Sequence, residues 1–322
     1  MKILLVRLSS MGDLIHTLPA VEDLARQCPE VELHWLCEAG FADIARLHPF
    51  VKKAHVMKWR QWRKHLLQAE TWREIGRLKT DLQAESFDFV LDSQGLIKSA
   101  CFAKMAKSPT YGLDKHSARE SLAALAYGKT FAVPKGKNAV WRNRELFAQV
   151  FGYTMPETQV FGLSVPESGR LKNVQSPYYV ALHATSRDSK LWPIEHWRAL
   201  LKKLNEEQQC TVYLPWGNET EKMRAEQIAS DLPFAFVCDK MNLLQAAFLL
   251  KNAEGIIGVD TGLLHLANAL EKPVVGIYTD TDPAKTGVQV SAYAKNLGGI
   301  AQIPNVDEVY QTLMDCVAAY GK

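Results

Sequence analysis

The feature that most constrains this chain is a strand–helix alternation that runs twice, with a break between the two runs. The first run opens on the apolar stretch ILLV at 3–6, then the loop SSMGD at 9–13, then an apolar-periodic helix over about 14–27 with Pro19 near its first turn. VELHWLC at 31–37 and FDFVLD at 87–92 read as further strands. Between about 156 and 177 the pattern weakens, and Pro156, Pro166 and Pro177 accompany Gly162 and Gly169, as in a linker. The alternation restarts with YYVALHA at 178–184 and continues through a helix from about Ile194, CTVYLP at 210–215 and a helix over 219–230. FAFV, a helix from about Asn242, GIIGVD at 255–260 and PVVGIY at 273–278 complete it. Such alternation implies parallel βαβ units. The chain is therefore expected to be α/β, with two Rossmann-like doubly wound parallel-sheet domains over 1–165 and 166–322. A central ligand cleft is expected at the carboxyl ends of their strands. A length of 322 residues, 47% of them hydrophobic, suits two cores better than one.

Several classes fall away. The six cysteines are scattered without a CxxC pair, which argues against a zinc site or a disulfide framework and fits a reducing cytoplasm. Arg7 interrupts the opening apolar run before a signal-peptide core forms, and no stretch reaches the roughly 20 apolar residues of a membrane span. A net charge of +3 does not by itself point to nucleic acid, and RNA-binding aromatic patterns are absent, so no nucleic-acid partner is expected. GxGxxG is missing, which disfavours a dinucleotide dehydrogenase. Gly128-Lys129-Thr130 imitates a P-loop end, but Ala123 stands where its first glycine belongs.

Three loops after strands of the second half suit a diphosphate. At 255–270, GIIGVDTGLLHLANAL ends a strand at Asp260 and starts a helix at Thr261-Gly262, whose first-turn amides and positive dipole end favour an anion. In HATSRDSKLWP at 183–193, Thr185 and Ser186 offer hydroxyls and Lys190 a compact cation. In LPWGNETE at 214–221, Glu221 can accept from ribose hydroxyls. Read blandly, these are a helix cap, a solvated loop and a polar turn. Three at strand ends of one sheet favour a nucleotide site. His265 lies one turn into the helix and is read equally as a donor contact or a plain helix-face histidine. Asp280-Thr281-Asp282 resembles a metal-holding DxD element, but a turn is the preferred reading and no metal is expected.

The first half carries the complementary signals. Residues 52–64 hold Lys52, Lys53, Lys58, Arg60, Arg63 and Lys64, interleaved with Trp59 and Trp62 and free of acidic residues. Such a segment suits an anionic partner, and its tryptophans favour a membrane interface. Its bland reading is a solvated basic helix face. Arg119 is a further cation. Asp13, in the first strand-end loop, is a candidate general base, with an N-cap as the alternative role. With Lys190 and the 261–263 amides to receive a departing diphosphate, a single in-line displacement at a sugar carbon would invert that centre.

On VRLSSMGDLIHTLPA, LDSQGLIKSA, SARESLA, ELFA, LHATSRDSKLWPIEHW, LPWGNETE and VDTGLLHLANAL, the sequence resembles glycosyltransferase family 9 over nearly its full length. The resemblance implies a GT-B fold whose C-terminal helix returns to the N-terminal domain. It implies ADP-L-glycero-β-D-manno-heptose as donor and the inner Kdo of Kdo2-lipid A, at the cytoplasmic face of the inner membrane, as acceptor. The transfer it implies is inverting and needs neither metal nor cofactor. Asp13 matches the family's base. Thr185, Ser186, Lys190, Glu221, Met241, Asp260, Thr261, Gly262 and His265 match its donor site; Arg60, Arg63, Lys64 and Arg119 match its acceptor side. One departure stands out: Thr279-Asp280 replaces the family's glycine-proline pair. A nucleotide-sugar epimerase, or a non-catalytic module for anionic membranes, are the alternative readings.

Overall fold

The computed structural model describes residues 1–172 and 174–321. The chain forms two compact units, Met1–Ser164 and one that begins at Val165. The first is a six-stranded parallel sheet of β1 (Lys2–Val6), β2 (Glu32–Glu38), β3 (Val51–Met57), β4 (Phe89–Asp92), β5 (Thr110–Leu113) and β6 (Lys129–Phe131). Their order is β3-β2-β1-β4-β5-β6. Ile3 to Val6 are fully buried, as expected of a central strand covered on both faces. Because β1 lies beside β4, the loop after each reaches the same point of the sheet edge.

The single helix expected over 14–27 is two helices, Met11–Ile15 and Leu18–Gln27. Pro19 explains the restart. In one continuous helix its ring would clash with the carbonyl of Ile15, whereas in a first turn its missing N–H costs nothing. The second of these helices is fixed to Ala139–Phe151 by a buried ion pair, Arg144 Nε to Asp23 Oδ2 at 2.6 Å. Arg144 also donates to the carbonyls of Pro156 and Thr158. This clamp holds helix Ala139–Phe151 in place.

The second unit repeats the same winding with β7 (Tyr178–Leu182), β8 (Thr211–Leu214), β9 (Ala235–Val237), β10 (Gly255–Val259), β11 (Val274–Tyr278) and β12 (Ala294–Gly298), ordered β12-β11-β10-β7-β8-β9. The final helix, Val306–Tyr320, was expected to return to the first domain. Its buried face (Val309, Tyr310, Leu313 and Cys316) lies in the core of the second unit with Leu200 and Leu204. Strands β5, β6 and β12 escape a reading of periodicity, being three to five residues long and pleated over too few positions. Among the described residues no helix is long and apolar enough to cross a membrane.

Candidate active site

In the first unit, Arg7 follows β1 directly and Asp13 lies in the first helical turn after it. The Asp13 carboxylate accepts from Arg7 Nη2 at 3.1 Å, from the Ser10 N–H at 2.7 Å and from the Ser10 hydroxyl at 3.0 Å. Asp13 is thus the third helical residue reaching back to an N-cap serine, rather than the N-cap itself. Burial pushes its pKa up, but the Arg7 charge and the Ser10 amide outweigh that and hold it below the ordinary carboxylate value. Asp13 is ionised at neutral pH.

Asp13 lines a cavity of about 380 Å³ together with Arg7, Arg119, Lys135 and Arg142, four cations to one carboxylate. Its wall is set by the LDSQG motif. Buried Asp92 accepts from the Gln94 and Gly95 amides and from Tyr127 Oη, folding the turn after β4. Gln94 Oε1 then takes the Leu8 N–H at 2.7 Å, and the Ser93 carbonyl takes Arg7 Nη1 at 2.6 Å. Gly95 has φ +66°, and a Cβ there would meet Ala118 and Arg119 backbone at 3.3 Å. Only glycine lets that segment close up and aim Arg119 at the cavity.

Three buried polar atoms of this wall, Arg7 Nε, Arg142 Nε and Ser93 Oγ, have no hydrogen-bond partner. Burial and the neighbouring cations push the pKa of Arg142 down, and burial does the same to Arg7 despite Asp13. Two buried, unmatched guanidinium donors beside a neutral hydroxyl suit an anion. Sequence reasoning missed Arg7, Lys135 and Arg142. A charged residue ending a buried strand run was the available signal for Arg7; nothing local marks Arg142, which comes from helix Ala139–Phe151.

The basic stretch is rearranged from expectation. Lys52 and Lys53 lie on β3, and the helix spans only Trp59–Trp62, so Arg60, Arg63 and Lys64 do not share one helix face. Lys53 pairs with Glu85 and Lys58 with Glu74. Arg60 lies 4.7 Å over the Phe41 ring, and Arg63 and Lys64 are exposed; of the four expected acceptor cations only Arg119 lines the cavity. Trp59 and Trp62 are not interfacial. Trp62 is buried and donates to Glu74 Oε2, and both rings rest on Phe102.

In the second unit three of the expected donor residues, Thr185, Lys190 and His265, gather around Asp260, just after β10. Lys190 Nζ lies 2.6 Å from Asp260 Oδ2, Thr281 Oγ1 donates to the same oxygen at 3.0 Å, and Thr185 Oγ1 donates to the Asp260 carbonyl at 2.7 Å. His265 Nε2 stands 3.8 Å from Oδ1. Burial pushes the Asp260 carboxyl up, yet His265 and Lys190 overcome it and hold the pKa at about 2. Asp260 does not cap the helix: Thr261 occupies the N-cap position of Gly262–Ala269 and makes no side-chain cap bond.

The loop bearing Thr185, Ser186 and Lys190 is braced by Arg224, which donates to the carbonyls of His183 and Trp192 at its two ends. Sequence reasoning also missed this strut. Ser186 is exposed and Met241 half-buried. Glu221 accepts from the Gly217 N–H and the Asn218 amide, which shapes its loop while each oxygen keeps a lone pair. Asp282 caps the turn at Pro283–Thr286 and Asp280 accepts from Ser189 Oγ, so the two carboxylates serve separate loop contacts. The Thr279 hydroxyl donates to the Ser189 carbonyl, tying the departing family position to the Lys190 loop.

Two doubly wound parallel-sheet units, one with a cation-lined cavity beside an ionised carboxylate, are the architecture of a GT-B glycosyltransferase, and its relatives place the chain there. The chain belongs to glycosyltransferase family 9, the heptosyltransferases, whose model matches residues 75–317. It is 39% identical to lipopolysaccharide heptosyltransferase 1 of Escherichia coli K12 over 298 residues, 92% of each chain. Among solved structures it resembles E. coli heptosyltransferase WaaC with ADP, with TM-score 0.92 and 36% identity over 98% of this chain and all of the other. It also resembles WaaC with ADP-2-deoxy-2-fluoro heptose, with TM-score 0.85 and 34% identity over the full length of both.

Proposed function

We propose that the enzyme transfers L-glycero-D-manno-heptose from ADP-heptose to the inner Kdo of Kdo2-lipid A, in lipopolysaccharide core synthesis at the cytoplasmic face of the inner membrane. The acceptor hydroxyl oxygen forms the new bond to the anomeric carbon while the bond from that carbon to the β-phosphate oxygen breaks. ADP leaves with the electron pair, and the anomeric centre inverts. Asp13, already ionised, takes the hydroxyl proton. Lys190 and the amides at 261–263 balance the charge that grows on the diphosphate. Thr185, Ser186, Glu221, Met241 and His265 hold the rest of the donor.

The observation that carries this reading is the cavity beside Asp13, with four cationic side chains and three unmatched buried polar atoms. An acceptor sugar that bears a carboxylate matches such a wall, with Arg7, Arg119 and Arg142 as its partners. An epimerase, whose single substrate is a nucleotide sugar, has no use for a second anion receptor on the other unit.

The test is ADP release from ADP-heptose with and without Kdo2-lipid A, repeated in EDTA. Release that depends on the acceptor and survives EDTA supports the reading. Release without acceptor, or ADP-heptose consumed with no ADP formed, refutes it.

A further inference from the structure

We propose that His34, His55 and Glu85 form a zinc site that fastens the β2–β3 margin of the first sheet. The register of this pair sets His34 against Lys53 and Leu36 against His55, so the two histidines are diagonal neighbours on one face. Helix Ala69–Ala84 packs against β3, and Glu85 ends it, with Ser86 at φ +53° turning the chain away. Phe87 then stands edge-on to both imidazoles, with 5.3 and 6.0 Å between ring centres. No sequence spacing marks the cluster, because strand register and a helix end assemble it.

The ligand atoms already face one another. His34 Nδ1 lies 3.0 Å from His55 Nε2 and 3.9 Å from Glu85 Oε2, and all three atoms fall within 4.8 Å of one another. Two ligands of a tetrahedral zinc, each about 2.0–2.1 Å from the ion, stand about 3.3 Å apart. The imidazoles therefore part by a few tenths of an ångström and Glu85 closes by about twice that. His34 Nε2 lies 3.0 Å from the Glu32 carboxylate, which can only accept, so Nε2 carries the hydrogen and the Nδ1 lone pair points into the cluster. A carboxylate behind a ligating imidazole fixes that ring for its metal. Burial lowers the pKa of both rings, that of His55 to about 4, so neither repels a cation at neutral pH. Two imidazoles and one carboxylate suit zinc rather than magnesium or calcium, which take oxygen ligands.

The cluster is open from one side. His55 lines a cavity of about 350 Å³ with Glu74 and Asp81, and Asp81 lies one turn before Glu85, adding negative charge to the approach. Lys2 is the competitor. Its Nζ lies 2.5 Å from Glu85 Oε2 and 3.4 Å from Glu32 Oε1, so it can pass to Glu32 as zinc takes Oε2. Lys53 meanwhile keeps Glu85 Oε1 at 2.6 Å. None of these residues lines the cavity beside Asp13, so the site is structural and independent of the transfer reading.

The test is calorimetric titration of ZnCl2 into the untagged full chain, stripped with EDTA and dialysed, without donor or acceptor. The wild-type chain takes up one zinc with a Kd of about 1 µM or tighter and gains thermal midpoint, whereas MgCl2 does neither. His55→Gln weakens uptake at least about 100-fold and Glu32→Gln about 10-fold. Lys2→Met removes the competing charge, keeps the bulk and tightens uptake about 10-fold. A cluster of ion pairs without a metal role predicts no zinc response in any of these chains. His55 is buried, so Glu85→Gln, at a partly exposed position, carries the same expectation should His55→Gln fail to fold. A wild-type chain that takes up no zinc, uptake unchanged by His55→Gln or Glu85→Gln, or uptake not tightened by Lys2→Met overturns the proposal. Because uptake is scored without substrates, a failure to release ADP counts against the transfer reading alone.

Discussion

Replacing Lys190 by methionine separates what this cation does for the fold from what it does for the reaction. Lys190 and Asp260 lie 2.6 Å apart with side chains only 15% and 9% exposed, so the substitution strands a buried carboxylate with Thr281 and His265 as its remaining neighbours. Breaking a buried pair from one side costs about 3–5 kcal/mol. The exposure left at Lys190 and the hydroxyl of Thr281 place this case at the lower end, about 3 kcal/mol. In the proposed transfer, a unit of charge develops on the diphosphate as the sugar leaves. At an effective dielectric near 20, a cation about 4 Å away is worth roughly 4 kcal/mol. Sharing that cation with Asp260 reduces the effect to about 2–3 kcal/mol, or about 30–150-fold in turnover. The double substitution Lys190→Met with Asp260→Asn removes the stranded charge. Its unfolding free energy in urea should return to within about 1 kcal/mol of wild type, while ADP release stays down by the single variant's factor. Turnover within about threefold of wild type in the single variant, or recovered turnover in the double, would refute the assignment of Lys190 to the leaving group.

Asp13→Asn keeps the size of the side chain but removes the proposed proton acceptor, so turnover should fall about 10²–10⁴-fold while calorimetry finds ADP affinity unchanged. Arg7→Met removes the charge that favours ionised Asp13. The acid limb of kcat/KM should therefore move to higher pH, with activity near pH 5 falling more than activity near pH 8; a profile that shifts uniformly would deny the coupling. Asp260 titrates at about 2 in the folded chain, below the ordinary carboxylate value, so its contribution to stability is complete above that ordinary value and is lost as pH falls towards 2. Asp260→Asn should flatten the decline of unfolding free energy in that window by up to about 1.4 kcal/mol per pH unit, read from urea midpoints. Arg144→Met leaves Asp23 buried and unpaired and should cost about 3–5 kcal/mol in the same urea measurement, with catalytic effects only through displacement of helix Ala139–Phe151.

The sequence by itself determined the two sheets and the strand ends at which the proposed site residues stand. ILLV, FDFVLD and GIIGVD are buried on both faces, so their apolar runs are visible without partners, and the first polar residue after each run marks an edge loop. Asp13, Lys190 and Asp260 were legible for that reason, and the motif stretches carried the family. The tertiary structure decided what converges. Arg7, Arg119, Lys135 and Arg142 come from four separate segments and meet only because the winding places β1 beside β4 and the Asp23–Arg144 pair holds the last helix in place. It also decided direction: Trp59 and Trp62 read as surface tryptophans among lysines but turn into the core, while Leu66, Leu67 and Trp72, unremarked in the sequence, point into water. Apolar content along a segment reports how much side chain has to be buried, and only the packing of that segment against its neighbours selects which side chains those are.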